Sequence, residues 1–493
     1  MSTPRDLSER RARLTPAQRA LLEKRLRSGG VPAAEAEKDE SIAPRQDRGP
    51  APASFGQRRL FHFAAARPAS IDYNVYYAVG LRGPLDRAAL ARGVRAVVER
   101  HEALHTRFEL AEDGKVMAVA APDLLPSSLP LIDLGGLTDP AARDAEAMRV
   151  VIEFASPLFD LRRGPLFRTV LLRRAEGENS LLVSVHHAVI DGWSLSILTR
   201  DLAEAYAAGG AEPSSERPLQ AADFALWERR RIREGALAGS LSWWREHLAG
   251  APPMGIAWPG RPQAAAGRSM LRLDAELVQS LKALAQRERV TLFITLLAGF
   301  KAWLRHRTGQ TDLIVGTPMA LRARPEAAGI SGFLLNVLPL RTDLAGDPTF
   351  LELLHRVRDT FLGALSHRAA PIEWLAEEFL HGHAPGALPW VNVLFNMPSG
   401  EAGHVEPLTA GDLEFLPLLT GEMGSEPDLT FYAREVAGGM RLDLGFNANL
   451  FAPAEAGSLL EGLAALLEEA ASCPDRRLSE LAGVVLTPAG SEV

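Results

Sequence analysis

Hydrophobic and polar positions along the chain follow two periods, one typical of helices and the other of strands. Apolar residues that recur every three or four positions predict helices over 85–99, 291–307, 350–367 and 455–471. Short apolar runs rich in β-branched residues predict strands at 165–173, 179–187 and 312–317. A short segment with Glu-Gly-Glu separates the first two runs, so we expect them to pair as a hairpin. Interleaved helices and strands predict an α/β protein of two lobes.

Polar and Gly- or Pro-rich stretches divide this pattern into segments. Near the N-terminus, Thr15-Pro16 supplies a helix start and leucines between positions 14 and 26 form a narrow apolar stripe, which predicts a helix that is either solvated or docks onto another protein. An Ala-, Pro- and Glu-rich stretch follows and predicts a tether. The polar run GGAEPSSERP then separates the two lobes. The predicted boundaries are an N-terminal helical leader or docking element at 1–30, a linker at 31–52, a first lobe at 53–215, a second lobe at 216–485 and a tail at 486–493.

Composition and charge narrow the class of protein. The chain has 493 residues, 47% of them hydrophobic, and its formal charge of -7 comes from well-mixed acidic and basic residues, so nothing indicates a nucleic-acid partner. The single cysteine, Cys473, excludes intramolecular disulfides and CxxC zinc sites and suits a reducing compartment. The first residues lack the apolar core of a secretory signal, and no apolar run is long enough to cross a membrane. We therefore expect a cytoplasmic protein with no membrane segment.

The segment SVHHAVIDGWSLSILTRDL, at 184–202, carries the strongest candidate chemistry. A predicted strand delivers His186 and His187 to a loop that precedes a predicted helix, where side chains and unpaired N–H groups can meet a ligand. His187 and Asp191 bring a group that titrates near neutrality close to a carboxylate, and Gly192 permits a close approach of backbone to a ligand. No metal site is predicted, because adjacent strand residues point to opposite faces and no further ligand cluster is present in the sequence. The structural alternative is a buried histidine pair beside an ordinary Asp-Gly turn.

No companion nucleophile accompanies this loop. The GxSxG pattern is absent, GISGF at 329–333 has the wrong spacing, and Cys473 has no histidine near it in sequence. A histidine that acts without Ser or Cys suits direct transfer between two bound substrates when the acyl donor arrives already activated. A thioester attacked by an amine or an alcohol fits that chemistry.

The loop resembles the HHxxxDG motif of the condensation domains of nonribosomal peptide synthetases, which belong to the chloramphenicol-acetyltransferase-like superfamily. Further segments resemble the family's motifs in order over about residues 50–485. These segments are ASFGQRRLFHF (53–63), RHEALHTRF (100–108), ADFALW (222–227), SWWREHLAG (242–250), GTPMALRARPE with GFLLNVLPLRTDL (316–344), HRAAPIEWL (367–375) and PWVNVLFNM (389–397). The chain departs from the family's motifs at His105, Ala221 and Glu426. We expect these differences to affect the donor or acceptor pocket more than the reaction itself. GWSLSIL after the motif favours condensation over epimerisation, and HHxxxDG argues against the cyclising subtype.

The resemblance implies two acetyltransferase-like lobes in a V-shaped pseudo-dimer with an active-site tunnel between them. It implies no bound cofactor; the phosphopantetheine arms of a donor carrier protein and of an acceptor carrier protein would enter the tunnel from opposite faces. His187 would face the tunnel, either as the base that accepts the proton of the attacking amine or as the group that positions this amine.

The resemblance also implies roles for the residues around His187. His186 would turn into the lobe, and Asp191 would pair with Arg322 and tie the loop to the other lobe. The N–H of Gly192 is a candidate donor to the oxyanion. The residues expected to line the tunnel are Trp193, Ser194 and, with weaker support, Asn336.

The expected activity is acyl, aminoacyl or peptidyl transfer from a carrier-protein thioester to an amine, with an amide as product. Ester formation on a hydroxyl acceptor, including a small molecule, stays open, and so does a catalytically silent module that recruits carriers. Adenylation, carrier and thioesterase signatures are absent from the chain, so we expect a free-standing protein that uses carriers in trans. The sequence identifies neither the acyl group, its stereochemistry nor the carriers.

Overall fold

The computed structural model describes residues 41–211, 217–251, 266–380, 382, 384–398, 407–422, 427–436, 438–447 and 453–481. Residues from Ser41 onward form one compact unit. The helix predicted within 1–30 and the tail predicted at 486–493 lie outside the described residues.

The described chain interleaves strands and helices, as the hydrophobic pattern predicts. The strands are β1 (Ala51–Pro52), β2 (Asn74–Arg82), β3 (Thr106–Leu110), β4 (Val116–Ala120), β5 (Leu131–Asp133), β6 (Phe167–Ala175), β7 (Glu178–His186), β8 (Ala266–Asp274), β9 (Asp312–Ala320), β10 (Leu335–Asp343), β11 (Val393–Asn396), β12 (Leu408–Ala410), β13 (Leu413–Glu422), β14 (Leu429–Val436) and β15 (Gly439–Asn447). The helices are α1 (Phe55–Ala66), α2 (Arg87–Arg100), α3 (Pro140–Ala155), α4 (Gly192–Ala207), α5 (Ala221–Arg233), α6 (Ala238–His247), α7 (Ala275–Arg287), α8 (Leu292–Thr308), α9 (Phe350–Ser366), α10 (Ile372–Phe379) and α11 (Pro453–Ser472).

Two six-stranded sheets form the centres of two lobes. The first sheet has the order β12-β13-β2-β7-β6-β5 and the second the order β10-β9-β11-β14-β15-β8. In the first sheet β6 and β7 pair antiparallel, which confirms the predicted hairpin. In the second, β11 runs parallel to both of its neighbours, β9 and β14, whereas the other pairs are antiparallel.

The alternating pattern of the central strands explains how the first sheet is covered on both faces. On β7, Leu181, Val183 and Val185 belong to one buried cluster, which includes apolar residues of α2 and α4. Leu182 points to the other face and packs in a separate cluster with Val150 and Val151 of α3. This period of two is the one expected for a strand buried on both sides. The second lobe has its own, larger cluster around α8, whose interior positions are buried throughout.

The first sheet is completed by strands from the far end of the chain. β13 pairs antiparallel with β2, from Glu414 opposite Arg82 to Glu422 opposite Val75. The first lobe therefore includes residues beyond the predicted boundary at 215/216. Strand periodicity shows that a segment is a strand but carries no information about its partner, so the sequence pattern alone could not locate this pairing.

A second segment from the C-terminal half also enters the first lobe. The loop between β9 and β10, residues 321–334, is called the bridging loop below. Its apolar residues pack in the core of the first lobe rather than in that of the second; they are Ala327, Ile330, Phe333 and Leu334. In the opposite direction, Phe55 at the start of α1 joins the core of the second lobe, whereas Leu60 and Phe61 join that of the first. The two lobes are thus held together by exchanged apolar segments.

The described part of the predicted linker, residues 41–52, is packed against the protein. Ile42 is buried in the core of the first lobe, and β1 pairs with β4 at the end of the segment. The Ala- and Pro-rich composition that predicts a tether is thus misleading for these residues, because their backbone and their one large apolar side chain have partners in the fold.

Among the helices of the described residues, none combines the length and the apolar character needed to cross a bilayer.

Candidate active site

The HHxxxDG segment forms the junction between β7 and α4. β7 ends at His186, a single 3₁₀ turn covers His187–Val189, and α4 begins at Gly192. The N–H of His187 donates to the carbonyl oxygen of Tyr73 at 2.8 Å, just before β2, so the loop stays attached to the central strands of the first sheet. The histidine pair therefore lies at a sheet end, as predicted.

His186 is a structural residue in the interior of the first lobe. Its Nδ1 accepts a hydrogen bond from the N–H of Ala188 at 3.1 Å, and its ring lies 6.2 Å from the rings of both Phe159 and Tyr73. Burial, together with the neighbouring His187, lowers the pKa of His186 to about 3. The ring is consequently neutral in the physiological range. It points into the lobe, where the family resemblance places it.

His187 is half-buried, and one of its two ring nitrogens is already used by the protein. Nδ1 lies 2.7 Å from the carbonyl oxygen of Ile190, and because a carbonyl can only accept, Nδ1 carries the hydrogen. In the neutral ring Nε2 then holds a lone pair. No hydrogen bond to Nε2 is formed by the residues that the structure describes. The rings of Phe333 and Tyr73 contact the imidazole edge-on at 5.2 and 6.4 Å and help to fix its orientation.

Asp191 and Arg322 form a buried ion pair, as the resemblance implies. Nη1 of Arg322 lies 2.6 Å from Oδ2 of Asp191 and Nη2 lies 3.0 Å from Oδ1, so the contact is bidentate. Only 1% of the Arg322 side chain and 0% of the Asp191 side chain are exposed. The N–H of Leu334 also donates to Oδ2 at 3.0 Å. Asp191 thus connects the motif to the bridging loop and is enclosed, not open to a substrate.

Asp191 is also the N-cap of α4. Its Oδ1 accepts from the N–H of Ser194 at 3.0 Å and from the Ser194 hydroxyl at 2.8 Å. The same hydroxyl oxygen accepts from the N–H of Gly332 at 3.0 Å. The prediction that Ser194 lines a tunnel is corrected by this geometry, because Ser194 has no exposed surface and its hydroxyl group is part of the brace around Asp191.

Trp193 and Gly192 lie at the open side of the same junction. Trp193 is half-buried, and its Nε1 donates to the carbonyl oxygen of Ala328 in the bridging loop at 3.0 Å. Gly192 is exposed, and a Cβ placed on it would meet no atom within 4 Å. As the first residue of α4, Gly192 contributes an N–H that has no acceptor within the helix. The N-terminus of α4 therefore offers donor groups to an approaching anion or carbonyl oxygen.

Asn336, near the start of β10, makes its side-chain hydrogen bonds with residues of the second lobe. Its Nδ2 donates to the carbonyl oxygens of Arg368 and Ala370 at 2.8 and 2.7 Å, and its Oδ1 accepts from the N–H of Ile372 at 3.0 Å. Only 3% of Asn336 is exposed. The prediction that Asn336 lines the tunnel is therefore corrected: its amide holds the turn between α9 and α10 against β10.

Two contacts that support the histidine loop were not assigned from the sequence. Nε2 of Gln57 in α1 donates to the carbonyl oxygen of Ala188 at 3.0 Å. The Phe333 ring reaches His187 because the neighbouring Gly56 leaves room; a Cβ on Gly56 would lie 2.5 Å from this ring. Gln57 and Phe333 both belong to segments that carry the family resemblance, but their contacts join distant parts of the chain, which a single sequence does not show.

These side chains can support proton handling next to an electrophile. The described residues contain no group of three or more His, Cys, Asp or Glu side chains placed to hold a metal ion. They do contain an imidazole with one fixed N–H and one available lone pair, followed along the chain by an exposed helix N-terminus at Gly192. Such a pair of features suits deprotonation or orientation of a nucleophile together with stabilisation of a developing oxyanion.

Comparisons with known proteins agree with this architecture. The family model described as "Condensation domain" matches residues 47–486. A linear gramicidin synthase of Brevibacillus parabrevis is 36% identical over 444 residues, which are 87% of this chain and 8% of that synthase. Phosphinothricin tripeptide synthetase PhsC of Streptomyces viridochromogenes is 35% identical over 494 residues, which are 97% of this chain and 44% of that synthetase. The chain thus spans less than half the length of these two relatives.

Solved structures match over most of the chain. The X-domain from teicoplanin biosynthesis superposes with a TM-score of 0.78 at 28% identity and covers 90% of this chain and 99% of the X-domain. A further structure contains that X-domain in complex with OxyB. SgcC5 from Streptomyces globisporus, solved in complex with (R)-(-)-1-(2-naphthyl)-1,2-ethanediol and sucrose, has a TM-score of 0.74 at 28% identity and covers 86% of this chain and 100% of SgcC5.

Proposed function

The chain belongs to the condensation-domain family of nonribosomal peptide synthesis, and from this premise we propose that it transfers an acyl, aminoacyl or peptidyl group from a carrier-protein thioester to an amine, forming an amide bond. The observation that carries the proposal is the state of His187. Its Nδ1–H is donated to the carbonyl oxygen of Ile190, and its Nε2 makes no hydrogen bond to any of the described residues. An acceptor nitrogen at this loop is what proton transfer from an attacking amine, or orientation of that amine, requires.

In the proposed reaction the amine nitrogen attacks the thioester carbonyl carbon, the C–S bond breaks, and the phosphopantetheine sulfur leaves as a thiolate that takes up the proton lost by the amine. Nε2 of His187 either accepts the proton that the attacking amine loses or hydrogen-bonds that amine and orients it. The N–H of Gly192 donates to the oxyanion that forms on the carbonyl oxygen. His186 and Asp191 touch neither substrate; they hold the loop in place. The protein itself binds no cofactor in this scheme, and both phosphopantetheine arms belong to carrier proteins.

Single-turnover acyl transfer tests the proposal. A donor carrier loaded with an acyl group would be mixed with the protein and an amine acceptor, and the masses of intact carrier and product would be followed. We expect His187→Ala to lower the rate constant by about 10²–10⁴-fold, the range typical of a lost general base, with an unchanged thermal midpoint. His355→Ala, which removes a histidine near the surface of α9, is the matched control and should leave the rate unchanged. Equal rates for wild type and His187→Ala would remove His187 from the mechanism.

Ester formation is the second candidate, and one comparison favours it. SgcC5 was solved with a diol, so a protein of similar fold and 28% identity holds a hydroxyl compound. The same assay separates the two products when a matched pair of acceptors is used that differ only in an amine or a hydroxyl at the same carbon. Faster transfer to the hydroxyl acceptor would replace the amide proposal by the ester one.

A recruitment role without catalysis is the third candidate, favoured by the complex between the teicoplanin X-domain and OxyB. For this chain it would require tight carrier or enzyme binding with no turnover for any acceptor. Retention of His187 and Gly192 supports catalysis instead. Titration of the protein with the carrier proteins measures their binding. Tight binding without transfer for any donor or acceptor would indicate a silent module, whereas an enzyme given the wrong donor would transfer the group once the donor is changed.

A further inference from the structure

Residues 41–52 share the core of the first lobe with the bridging loop, which also binds the HHxxxDG motif through Arg322. We infer that this segment, called the strap below, positions the active-site junction, with Ile42 and Arg45 as its positioning residues. The effect on catalysis rests on the proposed function, whereas the effect on the bridging loop does not.

Arg45 fixes the strap to two other segments. Its backbone N–H donates to Oδ1 of Asp223 at 2.9 Å, and its Nη1 lies 3.3 Å from the same oxygen. Its Nη2 contacts the carboxylate of Glu102. The three side chains are 4–11% exposed, so the contact is largely shielded from water. Without the guanidinium, two buried carboxylates would lie close together, and the strap would be held to α5 less firmly, through the bonds of its backbone to Asp223 and Arg230.

Ile42 places the strap in the same hydrophobic core as the bridging loop. It is 4% exposed and shares the core of the first lobe with Ala327 and Ile330. The backbone N–H of Glu326 itself and then that of Ile42 act on the Glu326 carboxylate and hold its pKa below its ordinary value. The strap thus interacts with the buried Ala327 side of the turn at 325–327 through the core and with its Glu326 carboxylate.

Helix α5 supplies a second connection between Arg45 and the same turn. Asp223, which binds Arg45, lies in the first turn of α5, and Trp227 follows one turn later. The guanidinium of Arg324 lies over the Trp227 ring at 5.5 Å from its centre. Arg324 directly precedes the turn at 325–327, so α5 and the strap hold one and the same part of the bridging loop.

Two residues of the bridging loop contact the HHxxxDG motif. The carbonyl oxygen of Ala328 accepts from Nε1 of Trp193, which adjoins Gly192, and Arg322 of the same loop binds Asp191. A displacement of the turn at 325–327 would therefore act on both residues that flank Gly192. A displacement of about 1 Å in a catalytic group can lower the rate about a hundredfold. A small movement of the strap, passed on through the bridging loop, would therefore be enough to change the rate.

Amide hydrogen exchange of the intact protein tests the inference without any substrate. Arg45→Met is compared with Arg48→Met, which changes an exposed arginine of the same strap. We expect Arg45→Met to speed exchange at least tenfold in 321–334 and at 187–194 while β7 and β10 keep their protection. Arg48→Met should match wild type. Glu326→Gln, which keeps the shape of the side chain and weakens its interactions with the N–H of Ile42 and with Nη1 of Arg324 at 3.5 Å, should produce a smaller increase in the same peptides. This variant replaces Arg45→Met if the latter does not fold.

A strap that stabilises only its own surroundings, without positioning the active-site junction, gives a different pattern of hydrogen exchange. Faster exchange confined to 41–52, 102–105 and 221–228, with 321–334 and 187–194 unchanged, would overturn the inference. In the transfer assay we expect Arg45→Met to lower kcat by about tenfold with little change in KM, and Arg45→Lys, which retains the charge, to restore part of it. The two proposals can also fail separately. If Arg45→Met alters exchange as expected but the wild-type protein transfers no acyl group, the result supports the positioning role of the strap and contradicts the proposed function.

Discussion

Gly192 is required neither by the backbone conformation nor by the packing of the protein itself. Its φ lies outside the left-handed region, and the space where a Cβ would point is open. A glycine at such a position is unfavourable for the helix that it begins. The open space next to the helix N-terminus is what the proposed approach of the thioester to this backbone requires.

Replacement of Gly192 by alanine should separate stability from activity. We expect Gly192→Ala to keep or raise the free energy of unfolding, by about 0.5 kcal/mol, because alanine restricts the unfolded chain. The transfer rate should fall at least tenfold, since the methyl group would occupy the space proposed for the thioester. Gly457→Ala in α11, where an added Cβ would also meet only an ordinary contact, is the control and should leave the rate unchanged. Urea unfolding and the single-turnover assay measure the two effects; an unimpaired Gly192→Ala enzyme would contradict the assigned role.

Lys301 is a buried titratable group that the proposed reaction does not use. It lies inside α8 with no exposed surface, and its Nζ donates to the carbonyl oxygen of Leu340 at 2.6 Å and to Oγ1 of Thr342 at 2.8 Å. Burial lowers the pKa of Lys301 to about 7 despite the nearby charge of Asp312. In the unfolded chain the pKa returns to about 10.5. Between these two values the unfolded state binds a proton that the folded state lacks, so stability rises with pH across this window and levels off below about 7.

This difference predicts how Lys301→Met changes the pH dependence of stability. The variant removes the titration and keeps the length of the side chain. We expect the free energy of unfolding of wild type, minus that of Lys301→Met, to increase by about 2 kcal/mol from pH 7 to pH 9, and to stay nearly constant between pH 5 and 6. Urea unfolding at a series of pH values measures the difference. A difference that does not change with pH would show that Lys301 stays protonated in the folded protein.

At the scale of elements, the brace around Asp191 joins the N-terminus of α4 to the bridging loop. One carboxylate receives bonds from Arg322, Ser194 and the N–H of Leu334. Because both members of the ion pair are enclosed, removal of one leaves the other charge buried without its partner. The brace therefore determines whether the loop keeps its shape, rather than how the substrate reacts.

A double-mutant cycle tests this role. We expect Asp191→Ala and Arg322→Met each to lower the free energy of unfolding by about 3–5 kcal/mol, and the double variant to lose clearly less than the sum of the two, since it leaves no charge unpaired. Urea unfolding of the wild type, the two single variants and the double variant gives the coupling free energy between the two residues. Additive losses would mean that the two residues stabilise the fold independently of each other.

The sequence allowed part of this site to be predicted, and the physical reasons differ from residue to residue. The strand that delivers His186 and His187 follows from local periodicity, and the Asp191–Arg322 pair from resemblance to a family. Ser194 and Asn336 were misassigned, because their closeness to the motifs in sequence does not reveal that their polar groups are enclosed by other backbone groups. The composition of the strap resembles that of linkers and so predicts a tether, although its Ile42 is buried and its Arg45 side chain is 8% exposed.

At the scale of the whole molecule, the two lobes are not independent folding units. The first sheet needs β12 and β13, and the core of the first lobe needs the bridging loop. The hydrophobic pattern predicts the two lobes and the class of each element. It does not predict these exchanges, which depend on contacts between residues more than a hundred positions apart.

A fragment that ends at the predicted boundary tests the dependence of the first lobe on the rest. We expect residues 41–215, expressed alone, to show no cooperative unfolding transition, because the edge of β2 and the site for Phe333 and Leu334 would be left without partners. Near-ultraviolet circular dichroism and thermal unfolding provide the measurement, with the whole chain as the reference. A fragment that unfolds cooperatively would show that the exchanged segments contribute little.

The pairing of β13 with β2 also has a consequence for the timing of synthesis. Glu414 and Arg82, which lie opposite each other, are more than 300 residues apart in the chain. At a translation rate of about 5–20 residues per second, the edge of β2 waits on the order of 20–70 s on the ribosome before its neighbour is made. During this interval the nascent chain presents an unpaired strand to the cell, so its yield should depend on chaperones that shield such edges.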